Sequence, residues 1–239
     1  NIENIGELNI SSKGIEDLTG LEDFNSLYYL DCFTNNLSHF DFSQNTNLRW
    51  VNCSSGSAEY PLLSVDVTEC LELEYLICCG SAFIPGEHME SIDLSNNIAL
   101  REASLTFNQL TSLDLNNNPA LEVVNCYGNN LSCLNLRNGN NSNIYAVNFE
   151  QNPNLSCIEV DNVAFAEQVW FAIDPQTSFS EDCNNDCSGN SSFLTELSGS
   201  PKNLIQILDM MGRETSFKPN VPIIYVYDDG STQKVFSVE

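Results

Sequence analysis

The chain of 239 residues carries 33 Asp and Glu against 8 Lys and Arg, a formal charge of −25. A surface this negative repels DNA, RNA and anionic lipid, which argues against nucleic-acid binding and leaves cations and basic partners. The apolar fraction of 42% is enough for a core, so the acidity does not mark disorder. No apolar run approaches the ~20 residues that a membrane helix needs, so membrane insertion is not expected. The opening Asn1-Ile2-Glu3-Asn4 is not a signal peptide, and any such peptide lies upstream or has been removed.

One frame recurs along the chain: an apolar residue, apolar residues at +3 and +5, and often Asn at +8. It starts at Leu27, Leu48, Leu73, Leu100, Leu121 and Ile144, at intervals of 21, 25, 27, 21 and 23 residues. A second series runs half a period away and starts at Leu37, Leu62, Met89, Leu110, Leu131 and Leu155. Apolar +3 and +5 positions share one side of a short strand. Stacked coils bury those side chains in a continuous core and pair the strands in parallel. Asn at +8 leaves the strand, where its amide can satisfy turn backbone that would otherwise be buried unpaired. The coils starting at 48 and 73 have Gly56 and Ser81 at that slot, and the insertions 55–62 and 80–88 read as bulged loops.

Before the repeat is regular, residues 14–27 read as a partial cap or irregular first coil. After it, residues 162–173 predict a short amphipathic helix whose Phe165, Ala166, Val169 and Trp170 cover the last coil. Residues 174–183 wrap back, and a polar linker follows. The composition then shifts, and Asp229-Gly230 between two alternating apolar runs predicts a hairpin.

With "LTSLDLNNNPALEVVNCYGNNL" at 110–131, the chain resembles short Asn- and Cys-containing leucine-rich repeat proteins secreted by Bacteroidetes-type bacteria. The resemblance implies a leucine-rich repeat solenoid: mainly parallel β, two short strands per ~21–27-residue coil, little helix. The solenoid is assigned to 1–189, with repeats at about 5–162 and the cap helix and wrap at 163–183. Residues 190–239 form a small β C-terminal domain. In that domain Asp209, Gly212, Arg213, Glu214, Tyr225, Tyr227, Asp229, Gly230 and Lys234 resemble the end of a type IX secretion sorting domain. That resemblance implies use of the secretion machinery and a secreted or cell-surface bacterial protein.

Cys32, Cys53, Cys78 and Cys126 share the +5 slot with Leu105 and Phe149, so they read as buried free thiols. Cys133 and Cys157 stand at an outward +2 slot, and Cys183 and Cys187 follow the cap helix. Resemblance to the family's cap favours a Cys157–Cys183 disulfide. Cys187 then pairs with Cys133 or stays free; alternatively Cys133 bridges to Cys157 on the adjacent rung. Cys70 and Cys79 have no obvious partner.

On the first sheet, positions +2, +4 and +6 face outward and are not needed by the core. They place Tyr29, Asp31, Phe33, Trp50, Asn52, Tyr75, Asn125 and Tyr127 on one face, and these are the candidate ligand-binding residues. On the second, Asp41, Asp66, Asp93 and Asp114 share the +4 slot. They read as a solvated acidic stripe, with Ca2+ the alternative occupant; no other cofactor is expected. His39 and His88 neighbour no nucleophile motif and no phosphate loop is visible, so no catalytic residue is assigned. The sequence therefore points to a non-enzymatic extracellular or cell-surface binding module. Its partner would be a protein, in recognition or adhesion. A glycan ligand in a polysaccharide-using bacterium is the alternative, and a polysaccharide-active enzyme the remaining one.

Overall fold

The computed structural model describes residues 2–55, 59–81, 88–184 and 187, together with 204–209, 213, 215, 223–227 and 232–235. The chain divides into two compact units, Asn1–Asn190 and Ser191–Glu239.

The first unit is a parallel β-solenoid. Every strand in it is three residues long, because the chain must turn after each inward pair of side chains. One sheet stacks β1 (Glu7–Asn9), β2 (Tyr29–Asp31), β4 (Trp50–Asn52), β6 (Tyr75–Ile77), β7 (Glu102–Ser104), β9 (Val123–Asn125) and β11 (Ala146–Asn148) in that order. All its pairings are parallel and in register, so equivalent residues of successive coils form straight rows. The inward +5 row runs Cys32, Cys53, Cys78, Leu105, Cys126, Phe149, each with no exposed surface. Five residues upstream along the frame, Leu27, Leu48, Leu73, Leu100, Leu121 and Ile144 are equally buried. Removing a Leu side chain of this kind from water contributes about 1.5–3 kcal/mol, and stacking repeats that gain coil by coil.

Asparagines tie the coils together. Asn129 Nδ2 donates to Leu105 O and Cys126 O at 3.0 and 2.9 Å, while its Oδ1 accepts from Leu110 N at 3.0 Å. Asn152 repeats the pattern one coil on. In the second frame Asn97 and Asn118 donate in the same way, at 2.9 Å, to Val67 O, Cys70 O, Leu94 O and Asn97 O. Cys70 occupies this slot one coil earlier. Its thiol faces Phe42 O and Asn45 O at 3.5 and 3.7 Å, a weaker donor in an asparagine's place.

The second sheet is not continuous. β3 (His39–Asp41) pairs with β5 (Ser64–Asp66), and β8 (Ser112–Asp114), β10 (Cys133–Asn135), β12 (Cys157–Glu159) and β13 (Ser178–Ser180) form a separate parallel stack. The rung expected at Ile92 forms no strand. Backbone bonding from the next coil reaches Met89 O at 2.9 Å and Glu90 O at 3.3 Å and then stops. This coil is the longest, with its insertion directly upstream, and Ile92 is only partly buried.

The terminal helix α1 (Val163–Val169) is shorter than the 162–173 stretch expected. Asn162 caps it, its side chain accepting from Phe165 N at 3.0 Å. Ala166 and Trp170 are buried, and Phe165 packs edge-on to Trp170. Val169 does not cover the last coil: it is 41% exposed, because the helix ends there and only Trp170, in extended backbone, turns inward.

Cys157 bonds to Cys183 and Cys133 to Cys187, with Cα separations of 5.9 and 5.4 Å. The remaining six cysteines are thiols.

In the second unit β14 (Leu204–Asp209), β15 (Ile223–Tyr227) and β16 (Thr232–Val235) form an antiparallel sheet. Of the positions that resemble a sorting domain, Asp209 lies in β14, Tyr225 and Tyr227 in β15, and Lys234 in β16, while Arg213 is exposed. Gly212, Glu214, Asp229 and Gly230 lie outside the described residues, as do 56–58 and 82–87 of the two insertions.

Candidate functional site

The in-register stacking of the first sheet turns alternate outward residues into two rows. The +2 row reads Glu7, Tyr29, Trp50, Tyr75, Glu102, Val123, Ala146. The +4 row reads Asn9, Asp31, Asn52, Ile77, Ser104, Asn125, Asn148. Tyr29, Trp50 and Tyr75 are therefore consecutive, one per coil, all half-buried. Tyr29 and Trp50 stack with ring centroids 4.3 Å apart and planes 9° from parallel. That spacing follows from the distance between strands, about 4.8 Å, which is close to the offset-stacking distance of aromatic rings. Three large aromatics thus stand together on solvent-facing backbone that core packing does not require them to occupy.

The other candidates divide. Asp31 and Asn52 lie beside the aromatic row. Asn125 and Tyr127 sit beyond β7 and belong to a second group, in which Tyr127 meets Phe107 edge-on at 5.2 Å. Phe107 was not among the residues singled out in the sequence. Its slot, +7, takes the left-handed conformation in several coils, including Thr34, Phe107 and Gln151 as well as Gly128, and this aims the ring back toward the face. Phe33, 40% exposed, stands just past the end of β2.

The +4 polar residues have a structural task. Asp31, Asn52 and Asn125 each accept the backbone N–H two residues on, at 3.2 Å. The aspartates of the second sheet do likewise: Asp41 from Ser43, Asp66 from Thr68, Asp93 from Ser95 and Asp114 from Asn116, at 2.9–3.1 Å. These are Asx turns that bend the chain out of each strand. The hydroxyl and N–H of Ser43 hold the Asp41 carboxyl below its ordinary range, and Ser95 does the same for Asp93. Repeated Asp/Asn-x-Ser/Thr spacing was the signal for this role. Asp41 and Asp66 are register partners, but Asp93 stands in the unpaired rung, so the four do not form one continuous ladder. Among the described residues no group of three or more His, Cys, Asp or Glu is arranged to hold a metal ion.

Charge surrounds the aromatic row unevenly. Residues 1–190 contain 27 acidic and 4 basic side chains. Three of those four are engaged by glutamates: Arg49 by Glu72, Arg101 by Glu122 at 2.6 Å and Glu74 at 3.9 Å, and Arg137 by Glu159 at 3.3 Å. Tyr28, on the rim, donates to Glu7 at 2.6 Å, and this bond raises the pKa of its hydroxyl.

A cavity of about 410 Å³ lies on the other sheet, at the missing rung, between Ser91–Ser95 and Ser112–Asn117, with Cys187 at its edge. His39, also on that sheet, contacts Ser64 through Nδ1 at 2.9 Å in an exposed position.

No protein-family model and no curated protein matches the chain. Among solved structures it is similar to a leucine-rich repeat protein of Leptospira interrogans, at 14% identity and a TM-score of 0.44, covering 72% of this chain. The chain spans about half the length of that protein, 54%. It is also similar to the functional domain of InlJ from Listeria monocytogenes, described as including a cysteine ladder, at 15% identity and a TM-score of 0.23, covering 100% of this chain and 91% of that one. The repeat frame, the in-register parallel stacking and the asparagine ladder make the fold a leucine-rich repeat solenoid.

Proposed function

We propose that this chain is a non-enzymatic bacterial binding module, secreted or held at the cell surface, that recognises a protein partner in adhesion through the first-sheet face. The observation that carries the reading is the consecutive, half-exposed row Tyr29–Trp50–Tyr75, in which Tyr29 and Trp50 stack. Clustered aromatics on a rigid, solvent-facing scaffold are the residues that dominate protein interfaces. Two disulfides suit an oxidising compartment. The sorting-domain resemblance of the C-terminal unit supports export by type IX secretion.

Glycan recognition is the second reading, since sugars also stack on aromatic rings. The stack favours the protein reading: Tyr29 and Trp50 each spend one ring face on the other, which reduces the flat area open to a sugar.

The test is adhesion of beads coated with the full chain or with its Trp50→Ala variant to cell surfaces pretreated with protease or with periodate. Loss on protease treatment and with Trp50→Ala supports the protein reading. Loss on periodate alone transfers the site to a glycan. Equal binding by wild type and variant removes the face as the site.

A further inference from the structure

The aromatic row ends in a carboxylate on each side. Glu7 is the register partner of Tyr29 and Glu102 that of Tyr75, so the sequence across five coils is carboxylate, three aromatics, carboxylate. Asp31 adds a third carboxylate in the adjoining row, on the same strand as Tyr29. Arg101, the cation nearest Glu102 in the chain, is committed to Glu122 and Glu74. Among the described residues no ion pair reaches Glu7 or Glu102; Glu7 accepts the Tyr28 hydroxyl through one oxygen, which leaves its negative charge unneutralised. The face therefore combines π-surface with net negative charge, and its own coils supply little positive charge to cancel it.

That combination selects for one kind of partner. An acidic sugar or an acidic protein is repelled by the flanking carboxylates, and a neutral sugar gains hydroxyl hydrogen bonds to them but no charge attraction. A guanidinium gains twice: its plane can continue an aromatic stack, and its N–H fork pairs with a carboxylate. A lysine gains only the point-charge part. Resting on the protein-binding reading above, we infer that the partner segment is arginine-rich, and that Glu7 and Glu102 are the residues that select it.

The experiment uses the full chain and three immobilised 12-residue peptides, alternating Gly with Arg, Lys or Gln, at 50 and 300 mM NaCl. The inference expects the Arg peptide to bind most tightly and the Gln peptide least. Glu7→Gln/Glu102→Gln should weaken Arg-peptide binding by about tenfold, and Trp50→Ala by a similar factor. A control pair of equal charge change outside the face, Glu16→Gln/Glu69→Gln, should change it less than about twofold. Equal losses in the two double variants would show that only the general field of the acidic chain is at work and would overturn the inference. So would equal affinity for the Arg and Gln peptides. Either result leaves the protein-binding reading intact if Trp50→Ala still abolishes bead adhesion; failure of Trp50→Ala in that assay defeats the reading itself.

Discussion

Trp170 donates its indole N–H to the carbonyl oxygen of Ile144 across 3.1 Å, with both residues buried. The bond joins the residue after the terminal helix to the residue that opens the last coil. Around it the Trp170 ring meets Phe149, Phe165 and Phe179, all at angles of 64° or more. Without this plug the open end of the solenoid would expose its core. Trp170→Ala should lower stability by about 3–5 kcal/mol. Trp170→Phe should cost about 1–3 kcal/mol, because it leaves the Ile144 carbonyl unpaired while filling much of the volume. Urea unfolding followed by far-ultraviolet circular dichroism measures both; an unchanged midpoint for Trp170→Ala would show that the cap is dispensable.

The two disulfides close chain segments with sequence separations of 26 and 54 residues, Cys157–Cys183 and Cys133–Cys187. Replacing either pair by serine should lower stability by about 2–4 kcal/mol, chiefly by freeing the unfolded chain. Alkylation of the denatured, unreduced protein should label six cysteines, the number outside the two bonds. Labelling of ten would show that neither bond forms.

Cys70 holds a ladder position with a thiol. Asn97 and Asn118, in the equivalent slot of later coils, each donate two bonds of 2.9 Å where Cys70 reaches only 3.5 and 3.7 Å. Cys70→Asn should therefore stabilise the protein by about 1 kcal/mol, readable as a rise in melting temperature. Asn129→Ala should act in the opposite direction and cost more than Asn97→Ala. Asn129 loses two donated bonds and one accepted bond, whereas the Asn97 oxygen has no partner among the described residues to lose.

Gly80 lies where two rungs approach. A Cβ there would run into the carbonyl oxygen of Phe107, on the neighbouring coil, and lie 3.1 Å from Asn108 Oδ1. The obstacle is backbone, and Gly80 N already donates to Thr106 O at 2.8 Å, so relief requires parting β6 from β7. Gly80→Ala should cost about 3 kcal/mol. A melting temperature within a degree of wild type would show that the rungs part freely.

Burial pushes the Cys126 thiol up to about 12 from an ordinary 9.0. The native state then keeps a proton that the unfolded chain releases near pH 9. Between pH 9 and 12 the unfolded state binds fewer protons, so stability falls as pH rises, by about 1.4 kcal/mol per pH unit for such a thiol; below pH 9 its full contribution is present. Cys70 is pushed up to about 12, also chiefly by burial, and loses stability over the same range. Urea midpoints at pH 8 and 10.5 should differ less for Cys126→Val than for wild type. An identical alkaline loss in the variant would contradict the role of burial.

The inward slots were readable from the amino-acid order because each repeats a demand that every coil makes alike: Leu27 and its five counterparts, or the file from Cys32 to Phe149, must each leave water. The outward row of Tyr29, Trp50 and Tyr75 followed from the same phase, since a residue that is not inward on a strand is outward. What depends on how one coil lies against another was not readable. Cys133 meets Cys187, Tyr127 turns to Phe107 rather than joining the aromatic row, and Val169 stays in water while Trp170 goes in. The same holds for the gap at Ile92, where the longest coil falls out of step with its neighbours. Periodicity is a property of the chain taken one coil at a time. Stacking, pairing and cross-linking arise between coils whose lengths vary, and only the three-dimensional arrangement decides which side chains then meet.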